Sequence, residues 1–419
     1  MIRLIHILMM IAVAVNGFDY NNDNETLLID GSESLITSLC TDFLRHIRVF
    51  LQELESNLTL SSSNDFTIYT GSTGIVLLYL KLYELNAFEN ERQDILLKAN
   101  SLIKRSLENI GGGKERYSFL CGQTGVLACK VLINHARGKD YSKYLRIIRN
   151  LAPKILSDST ELPDEILFGR SGFLYSLLMI REKIEDSVQI LDDNLIRSLV
   201  EKILKSGQLT SQREKNSSIP LIYYWHEKAY VGAAHGYAGI LYILLETRNY
   251  LDDEKELNTL IKPTIDFVLG LQFPDTGNYR SSLNNTEDRL VHWCHGSPGV
   301  IHLLSLAYQV FEKEIYLNAA IKAADDIWHR GLLKKGCGLC HGTAGNGYAF
   351  IRLFQLTNDQ KYLYRAVKFA EWCFEPHQHR IRIADRPYSL FEGLAGTIYF
   401  LADIIHPKQA RFPAFQIKF

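Results

Sequence analysis

The chain has 419 residues, of which 47% are hydrophobic and 22% charged, and its formal net charge is −1. This composition is that of a folded globular protein and excludes a largely disordered chain. The near-zero charge gives no electrostatic case for a nucleic-acid partner, which usually requires a basic excess, so no nucleic acid is expected to bind.

The N-terminal residues 1–17 read MIRLIHILMMIAVAVNG. A basic residue, an apolar run and small residues have the form of a signal peptide, and the run is too short for a convincing membrane span. Four N-glycosylation sequons fit secretion, whereas an odd number of cysteines, seven, favours a reducing compartment. We interpret residues 1–17 as a signal peptide or an apolar N-terminal segment. A cytoplasmic location, in association with a membrane or free of it, competes with the secretory pathway.

Residues 18–60 are predicted to form an N-terminal helical extension, and a repeat begins after it. The pattern Gly-x-x-Gly followed by an apolar run occurs seven times, with first glycines 46 to 67 residues apart. Amphipathic segments with apolar residues at helical spacing separate the copies, for example YLYRAVKFAEWCF at residues 362–374. About 50 residues accommodate two helices and two loops. Each unit is therefore predicted to be a helical hairpin with one buried and one amphipathic helix.

Seven hairpins can stack as an open solenoid or close into a ring. The first and last copies, YTGSTGIVLLYL and FEGLAGTIYFLA, are as apolar as the middle ones. The ends of a solenoid should instead be capped by polar faces. We therefore predict an all-α fold over residues 61–419, a double-layered α/α toroid of seven helical hairpins. The glycine ends of its inner helices should gather at one rim.

The two residues before each Gly-x-x-Gly differ between the repeats, and we call them the first and second rim positions. In chain order they read Tyr69-Thr70, Leu120-Cys121, Leu167-Phe168, Ala234-His235, Cys294-His295, Cys340-His341 and Phe391-Glu392. Two neighbouring repeats thus carry Cys-His at the same two positions. Since residues of different repeats converge at a rim, these positions are candidates for a binding site.

The string Cys337-Gly-Leu-Cys340-His341 allows several interpretations. A haem-attachment signature would need both of its cysteines and would leave Cys294 without a purpose. A redox dithiol prefers a βαβ context, which helical repeats do not offer. Buried structural thiols are the simplest alternative, because a free cysteine behaves as a small hydrophobic residue.

Zinc explains Cys294, Cys340 and His341 together, because this metal takes thiolate and imidazole ligands. His235 or His295 could complete a closed structural site, whereas three protein ligands with an open fourth position are the catalytic pattern. A thiol that entered the open position would be deprotonated by the metal. A site with two cysteines and one histidine therefore suggests thiol activation.

At these residues the chain resembles the lanthionine synthetase C-like (LanC-like) family, in particular its eukaryotic members. The resemblance covers most of the chain from about Tyr69 onward and rests on YVGAAHGYAGI, HWCHGSPGV, LLKKGCGLCHGTAGNGYAF, SLFEGLAGTIYFLAD and ARFPAF. It implies a double-layered toroid with one zinc ion per chain, held by Cys294, Cys340 and His341. It also implies an enzyme that adds the glutathione thiol to dehydroalanine or dehydrobutyrine residues in proteins or peptides.

The resemblance implies roles for further residues. His235 matches the acid/base histidine of the family, and Glu165 stands where bacterial cyclases carry an aspartate. Lys335 matches a glutathione-contacting lysine. The loop RIRIADRPYSLFEG matches a second contact segment, which places Arg382 and Asp385 near the ligand. Glutathione carries two carboxylates, so cations beside the zinc ion would suit it.

Two other functions compete with glutathione addition. The first is a non-catalytic zinc- and glutathione-binding adapter in signalling at the plasma membrane, with a kinase or a membrane as partner. Rim residues alone do not separate the adapter from the enzyme, because both need the metal and the ligand. The second is carbohydrate processing, which requires two carboxylates around a sugar cleft. The sequence favours the glutathione-adding enzyme.

Overall fold

The computed structural model of the protein describes residues 35, 37–58, 64–111, 115–158, 162–215, 218–251 and 253–417. The segment 1–17, interpreted as a signal peptide or an apolar segment, lies outside these residues. The described chain is helical, with isolated β-bridges and no extended strand. None of its helices combines the length and the apolar composition that crossing a bilayer requires.

Fourteen helices carry the fold of the described chain. In order they are α1 (Thr37–Asn57), α2 (Ser72–Glu84), α3 (Arg92–Asn109), α4 (Gln123–Ala136), α5 (Ser142–Leu156), α6 (Arg170–Lys183), α7 (Asp193–Arg213), α8 (Tyr237–Glu246), α9 (Lys262–Leu269), α10 (Ser297–Phe311), α11 (Glu314–Arg330), α12 (Thr343–Thr357), α13 (Gln360–Trp372) and α14 (Leu394–Ile404). A helical turn, Glu254–Glu256, and a π-helical turn, Leu257–Ile261, lead into α9. Short 3₁₀ turns lie at Asn86–Glu91, Glu185–Gln189, Arg248–Tyr250 and Pro376–His379.

The even-numbered helices begin at the glycine repeats and form the inner layer, and the odd-numbered helices form the outer layer. The inner helix α8 is buried on all sides from Tyr237 to Leu245. The outer helix α5 buries only one stripe, at Leu145, Ile148, Ala152 and Ile155. A helix that is apolar all round needs neighbours on every side, whereas an amphipathic helix can face solvent.

The inner layer is a closed ring. Each inner helix packs against the next one, and α14 packs against α2, which joins the last repeat to the first. The helix α1, which lies within the predicted extension 18–60, packs against α14 and supplies the outer partner of the last inner helix. The predicted double-layered toroid of seven helical hairpins is therefore confirmed.

The second glycine of each repeat allows the loop before an inner helix to fold back over the first turn of that helix. A Cβ atom on Gly345 would overlap the carbonyl oxygen of Leu339, and one on Gly239 would overlap the carbonyl oxygen of Ala233. These neighbours are backbone atoms, which cannot rotate away as a side chain can. The glycines thus draw the rim loops tightly onto the inner helices.

The C-terminal segment fills the interior of the ring. The ring of Phe412 stacks on Trp293 with centroids 4.8 Å apart, and Phe415 lies 5.5 Å from the ring of His302 and 4.4 Å from that of Tyr242. These contacts reach residues of two neighbouring repeats, the fourth and the fifth. The closing motif ARFPAF therefore packs the centre of the toroid beneath the rim that carries the repeated Cys-His pairs.

Candidate metal centre and acid–base pair at the rim

Backbone hydrogen bonds join neighbouring rim loops into a ring. The amide of Cys294 donates to the carbonyl oxygen of Cys340 at 3.2 Å, and the amide of Cys340 donates to that of Phe391 at 2.8 Å. The amide of Phe391 then donates to the carbonyl oxygen of Tyr69 at 3.1 Å, and this hydrogen bond joins the loop of the last repeat to that of the first. First rim positions of neighbouring repeats are therefore held side by side.

The two rim positions point in different directions. In six of the seven repeats the side chain at the first position is buried, and Tyr69 is half-buried. In six of the seven repeats the side chain at the second position is half-buried, and Cys121 is fully buried. The first positions thus face the body of the toroid, while the second positions line its mouth.

Cys294, Cys340 and His341 form a cluster of metal-binding side chains. The two Sγ atoms and one ring nitrogen of His341 all lie within 4.8 Å of one another. A tetrahedral zinc ion, with bonds near 2.3 Å to sulfur and 2.0 Å to nitrogen, would separate these donors by about 3.5–3.8 Å. The donor set therefore fits zinc after a small contraction. Neither His235 nor His295 belongs to the cluster in the described residues.

The pKa values of Cys340 and His341 both depart from their ordinary values. Burial raises the pKa of the Cys340 thiol well above its usual range, and the nearby thiol of Cys294 adds to this rise. A hydrogen bond with Cys340 raises the pKa of His341. A bound metal ion would favour the thiolate and the neutral imidazole instead, because its charge inverts the local balance.

Tyr69, of the first repeat, contacts the cluster across the seventh repeat. Its hydroxyl donates a hydrogen bond to Cys340 Sγ at 2.9 Å, and its ring stacks on Phe391 with centroids 5.0 Å apart. Burial, followed by the charges of Cys340 and Cys294, raises the pKa of the Tyr69 hydroxyl far above its usual range. The hydroxyl therefore keeps its proton and remains a donor to the sulfur.

Glu165 and His235 form a second functional unit on the same rim. The carboxylate of Glu165 is 1% exposed and accepts hydrogen bonds from the amides of Leu167 at 2.8 Å and Phe168 at 2.6 Å. Its Oε2 lies 2.8 Å from Nδ1 of His235. Because a carboxylate only accepts, Nδ1 carries the hydrogen, and Nε2 is left as the atom that can exchange a proton with a ligand.

Aromatic side chains surround His235. The rings of Phe168 and Trp225 lie parallel to its imidazole within 11°, at centroid distances of 6.1 and 5.5 Å. Tyr230 lies 6.0 Å away and also contacts His295 at 5.2 Å. This part of the rim is therefore lined mainly by aromatic rings, and the guanidinium of Arg116 lies over the ring of Phe168, 4.9 Å from its centroid.

The predicted glutathione-binding residues lie on another part of the rim. Lys335 is exposed. Burial, followed by the charge of Lys335, lowers the pKa of His292 to about 3. The same charge contributes, after burial and His235, to lowering the pKa of His295 to about 4. Lys335 is thus close to the metal-binding cluster, as the sequence predicts for a residue that meets a ligand there.

Arg382 and Asp385 lie in a neighbouring exposed loop and pair with each other, with 2.6 Å between Arg382 Nη2 and Asp385 Oδ1. The amide of Arg382 donates to the carbonyl oxygen of Lys334 at 2.7 Å. This hydrogen bond connects the loop to the segment that carries Lys335. The three predicted glutathione contacts therefore belong to two linked loops, and their role in binding stays a prediction.

Four residues of the site, Tyr69, Phe168, Trp225 and Tyr230, had no role in the sequence analysis. Tyr69 and Phe168 occupy rim positions, so the repeat itself could have indicated them, as it did the cysteines. Trp225 directly precedes a two-residue turn in the segment between α7 and α8, and this segment is not part of the repeat. Nothing in the local sequence could have placed its ring against His235.

Comparisons with known proteins agree with this fold and rim. The chain matches the family model described as lanthionine synthetase C-like protein over residues 62–417. It is 41% identical over 394 residues to glutathione S-transferase LANCL1 of Danio rerio, covering 93% of this chain and 95% of that protein. It is 34% identical over 373 residues to LanC-like protein GCL1 of Arabidopsis thaliana, covering 84% and 82%.

Among solved structures, nisin cyclase superposes with a TM-score of 0.64 at 19% identity, covering 86% of this chain and 94% of that one. At this identity the likeness concerns the fold. The match over residues 62–417 and the two relatives show that the chain belongs to the lanthionine synthetase C-like family.

Proposed function

We propose that the protein is a zinc-dependent glutathione transferase that adds the glutathione thiol to dehydroalanine or dehydrobutyrine residues in proteins or peptides. The observation that carries the proposal is the joint presence, on one rim, of two cysteines and a histidine that could hold a metal ion and of a histidine–glutamate pair. The name of the Danio rerio relative, a glutathione S-transferase, supports this activity.

The reaction requires no leaving group and no oxidant. The thiol loses its proton, its sulfur forms a bond with the β-carbon of the dehydroamino acid, and the carbon–carbon double bond becomes an enolate. The α-carbon of that enolate then takes up a proton. One thiol and one alkene thus give one thioether, and the proton count is unchanged.

The residues of the rim divide the work. Cys294, Cys340 and His341 would hold the metal, and zinc bound there would stabilise an entering thiol as its thiolate. His235 Nε2 would deliver the proton to the α-carbon. The buried carboxylate of Glu165 fixes the tautomer and the orientation of that imidazole.

The glutathione side of the site would be provided by Lys335 and the loop that carries Arg382 and Asp385. A lysine ammonium and an arginine guanidinium bind carboxylates, and glutathione has two of them. The carboxylate of Asp385 would exchange its pairing with Arg382 for the glutathione amino group. The cations and the metal centre would then hold the peptide part and the thiol of one ligand together.

The decisive experiment measures metal content and adduct formation in the full chain. The protein is incubated with glutathione and a dehydroalanine peptide, and the mass of the peptide is followed. We expect about one zinc ion per chain and an increase equal to the mass of glutathione. Cys340→Ala should lose the metal and the product together.

Cys337→Ser is the matched control, because Cys337 lies in the same loop but outside the cluster. It should keep both metal and activity, whereas a haem or redox role would make it as harmful as Cys340→Ala. Binding of zinc and glutathione without any adduct would overturn the transferase proposal in favour of the adapter. Absence of zinc from the purified protein would refute the assignment of Cys294, Cys340 and His341 as metal ligands.

A further inference from the structure

The metal-binding cluster has a charged side and an aromatic side. Lys335 and the Arg382–Asp385 loop lie on the charged side, whereas Phe168, Trp225 and Tyr230 surround the imidazole of His235. We call these three side chains the aromatic wall. A glutathione molecule carries charges along its length and is suited to the first side, which leaves the second side for the other substrate.

We infer that the aromatic wall binds the acceptor, by taking a large apolar or aromatic side chain next to the dehydroamino acid. The inference rests on the proposed transferase function and names the class of acceptor. A dehydroalanine residue is small and uncharged, so it offers little for recognition. Selection among acceptors must therefore come from the residues that flank it.

The geometry of the wall fits this role. The ring centroids of Phe168 and Trp225 lie 5.3 Å apart with planes 18° from parallel, and both rings are parallel to that of His235. All three members of the wall are half-exposed. An aromatic side chain inserted against these faces would bury apolar surface and stack in an offset arrangement.

The wall is held rigidly with respect to the proton-donating imidazole. The amide of Phe168 donates to Glu165, the residue that orients His235. Trp225 begins a two-residue turn closed by hydrogen bonds of 2.9 and 3.1 Å to Lys228. The turn residues His226 and Glu227 have φ angles of 46° and 61°, the left-handed conformation of a tight hairpin turn.

The contact of the wall with His235 through Glu165 would make the rate depend on the residue that flanks the dehydroamino acid. A flanking side chain bound on the wall would bring the α-carbon of the acceptor to the nitrogen that protonates it. Positioning of this kind lowers the barrier only when donor and acceptor are both fixed. The wall residues are therefore positioning residues, which act on the acceptor and leave the glutathione side unchanged.

The test compares two dehydroalanine peptides that differ only in one neighbouring residue, phenylalanine or serine. We expect the natural protein to favour the phenylalanine peptide by roughly 3- to 10-fold in kcat/KM, the range that one aromatic contact supplies. Trp225→Ala should abolish this preference and leave the KM for glutathione unchanged. Trp225→Phe should restore most of it.

Tyr224→Ala is the matched control, because Tyr224 is an exposed aromatic residue, 42% accessible, directly before Trp225 in the same turn region. It should keep the preference. Equal rates with both peptides in the natural protein, or an equal loss with both peptides in Trp225→Ala, would overturn the inference.

Binding of the saturated peptides, with alanine in place of dehydroalanine, separates this inference from the proposed function. Their affinities are measured by fluorescence anisotropy with zinc and glutathione present. A phenylalanine preference that depends on Trp225, in a protein that forms no adduct, would support the wall and refute the transferase. Adduct formation without any preference, in kinetics or in binding, would support the transferase and refute the wall.

Discussion

Nδ1 of His235 lies 2.8 Å from Oε2 of Glu165, although 70 residues separate the two in the chain. They occupy neighbouring repeats of the toroid, and the loop of each is fixed by backbone hydrogen bonds to the next. A half-exposed histidine is thereby joined to a carboxylate that is 1% exposed. The pair gives the rim an oriented imidazole in addition to the cluster of Cys294, Cys340 and His341.

Replacement of the Glu165 carboxylate should slow the protonation of the α-carbon of the acceptor without affecting glutathione binding. We expect Glu165→Gln to lower kcat for adduct formation by roughly 10- to 100-fold, within the range of general acid catalysis, because the amide does not stabilise the imidazolium. Glu165→Asp, a shorter carboxylate, should give an intermediate rate. Steady-state kinetics with varied acceptor and calorimetry with glutathione check both points. A glutathione affinity that falls in parallel with kcat would contradict the assignment.

The hydroxyl of Tyr69 should affect the metal through its hydrogen bond to Cys340 Sγ. We expect Tyr69→Phe to lose zinc to a competing chelator about 10-fold more readily, as is typical when a partner of a metal ligand is removed. In cobalt-substituted protein the sulfur-to-metal absorption band should shift. Tyr388→Phe, in a nearby rim loop, is the control. Identical chelation curves and spectra would show that the O–H···S contact is absent in the metal-bound protein.

Lys335 and Lys334 are adjacent exposed lysines, and the charge of Lys335 is among the causes that, after burial, lower the pKa values of His292 and His295. We expect Lys335→Ala to weaken glutathione binding about 10-fold, since a hydrogen bond to a charged group contributes about 1.5–3 kcal/mol. Lys334→Ala should have little effect. Isothermal titration calorimetry with glutathione measures the affinity of both variants. Equal losses of affinity would indicate a general effect of surface charge.

The second glycine of a repeat should be required for full stability of the fold. Gly345→Ala should lower the free energy of unfolding by about 1–3 kcal/mol, because its Cβ would overlap the backbone oxygen of Leu339. Gly270→Ala is the control, since a Cβ there has only ordinary contacts and the backbone is right-handed. It should change stability by less than about 1 kcal/mol. Urea unfolding of both variants measures the difference.

His302 should destabilise the protein in acid. It is fully buried, no hydrogen-bond partner meets either ring nitrogen within the described residues, and burial with the charge of Arg352 lowers its pKa to about 3. An unfolded chain binds a proton at this histidine below pH 6.5, whereas the folded protein resists it. The stability contributed by the neutral histidine is thus complete above pH 6.5 and is lost progressively toward pH 3.

His302→Phe should therefore flatten the fall in melting temperature between pH 6.5 and 4. It should also raise stability at pH 7 by about 1 kcal/mol, because an unpaired buried polar group is removed and Phe412 and Phe415 supply an aromatic surrounding. His135→Phe, at an exposed position, should leave the slope unchanged. A parallel pH profile in His302→Phe and the natural protein would refute this origin of acid sensitivity.

The sequence by itself determined the architecture, because its signals are local and repeated. A glycine pair followed by an apolar helix, seven times over, defines seven hairpins, and the apolar first and last copies indicate ring closure. The same register placed Cys294 and Cys340 at equivalent rim positions, with His341 directly after Cys340. We could predict that these side chains lie close together, because the same position of each repeat lies on the same rim of the ring.

Only the tertiary structure decided which side chains touch across repeats. The contact of Glu165 with His235, the hydrogen bond of Tyr69 to Cys340 and the ring of Trp225 against His235 join residues far apart in sequence. Such distances depend on how the closed ring sets each loop against its neighbour, and on a turn between α7 and α8 outside the repeat. Local sequence patterns specify helices and their faces, but closure of the ring brings the functional atoms within bonding distance.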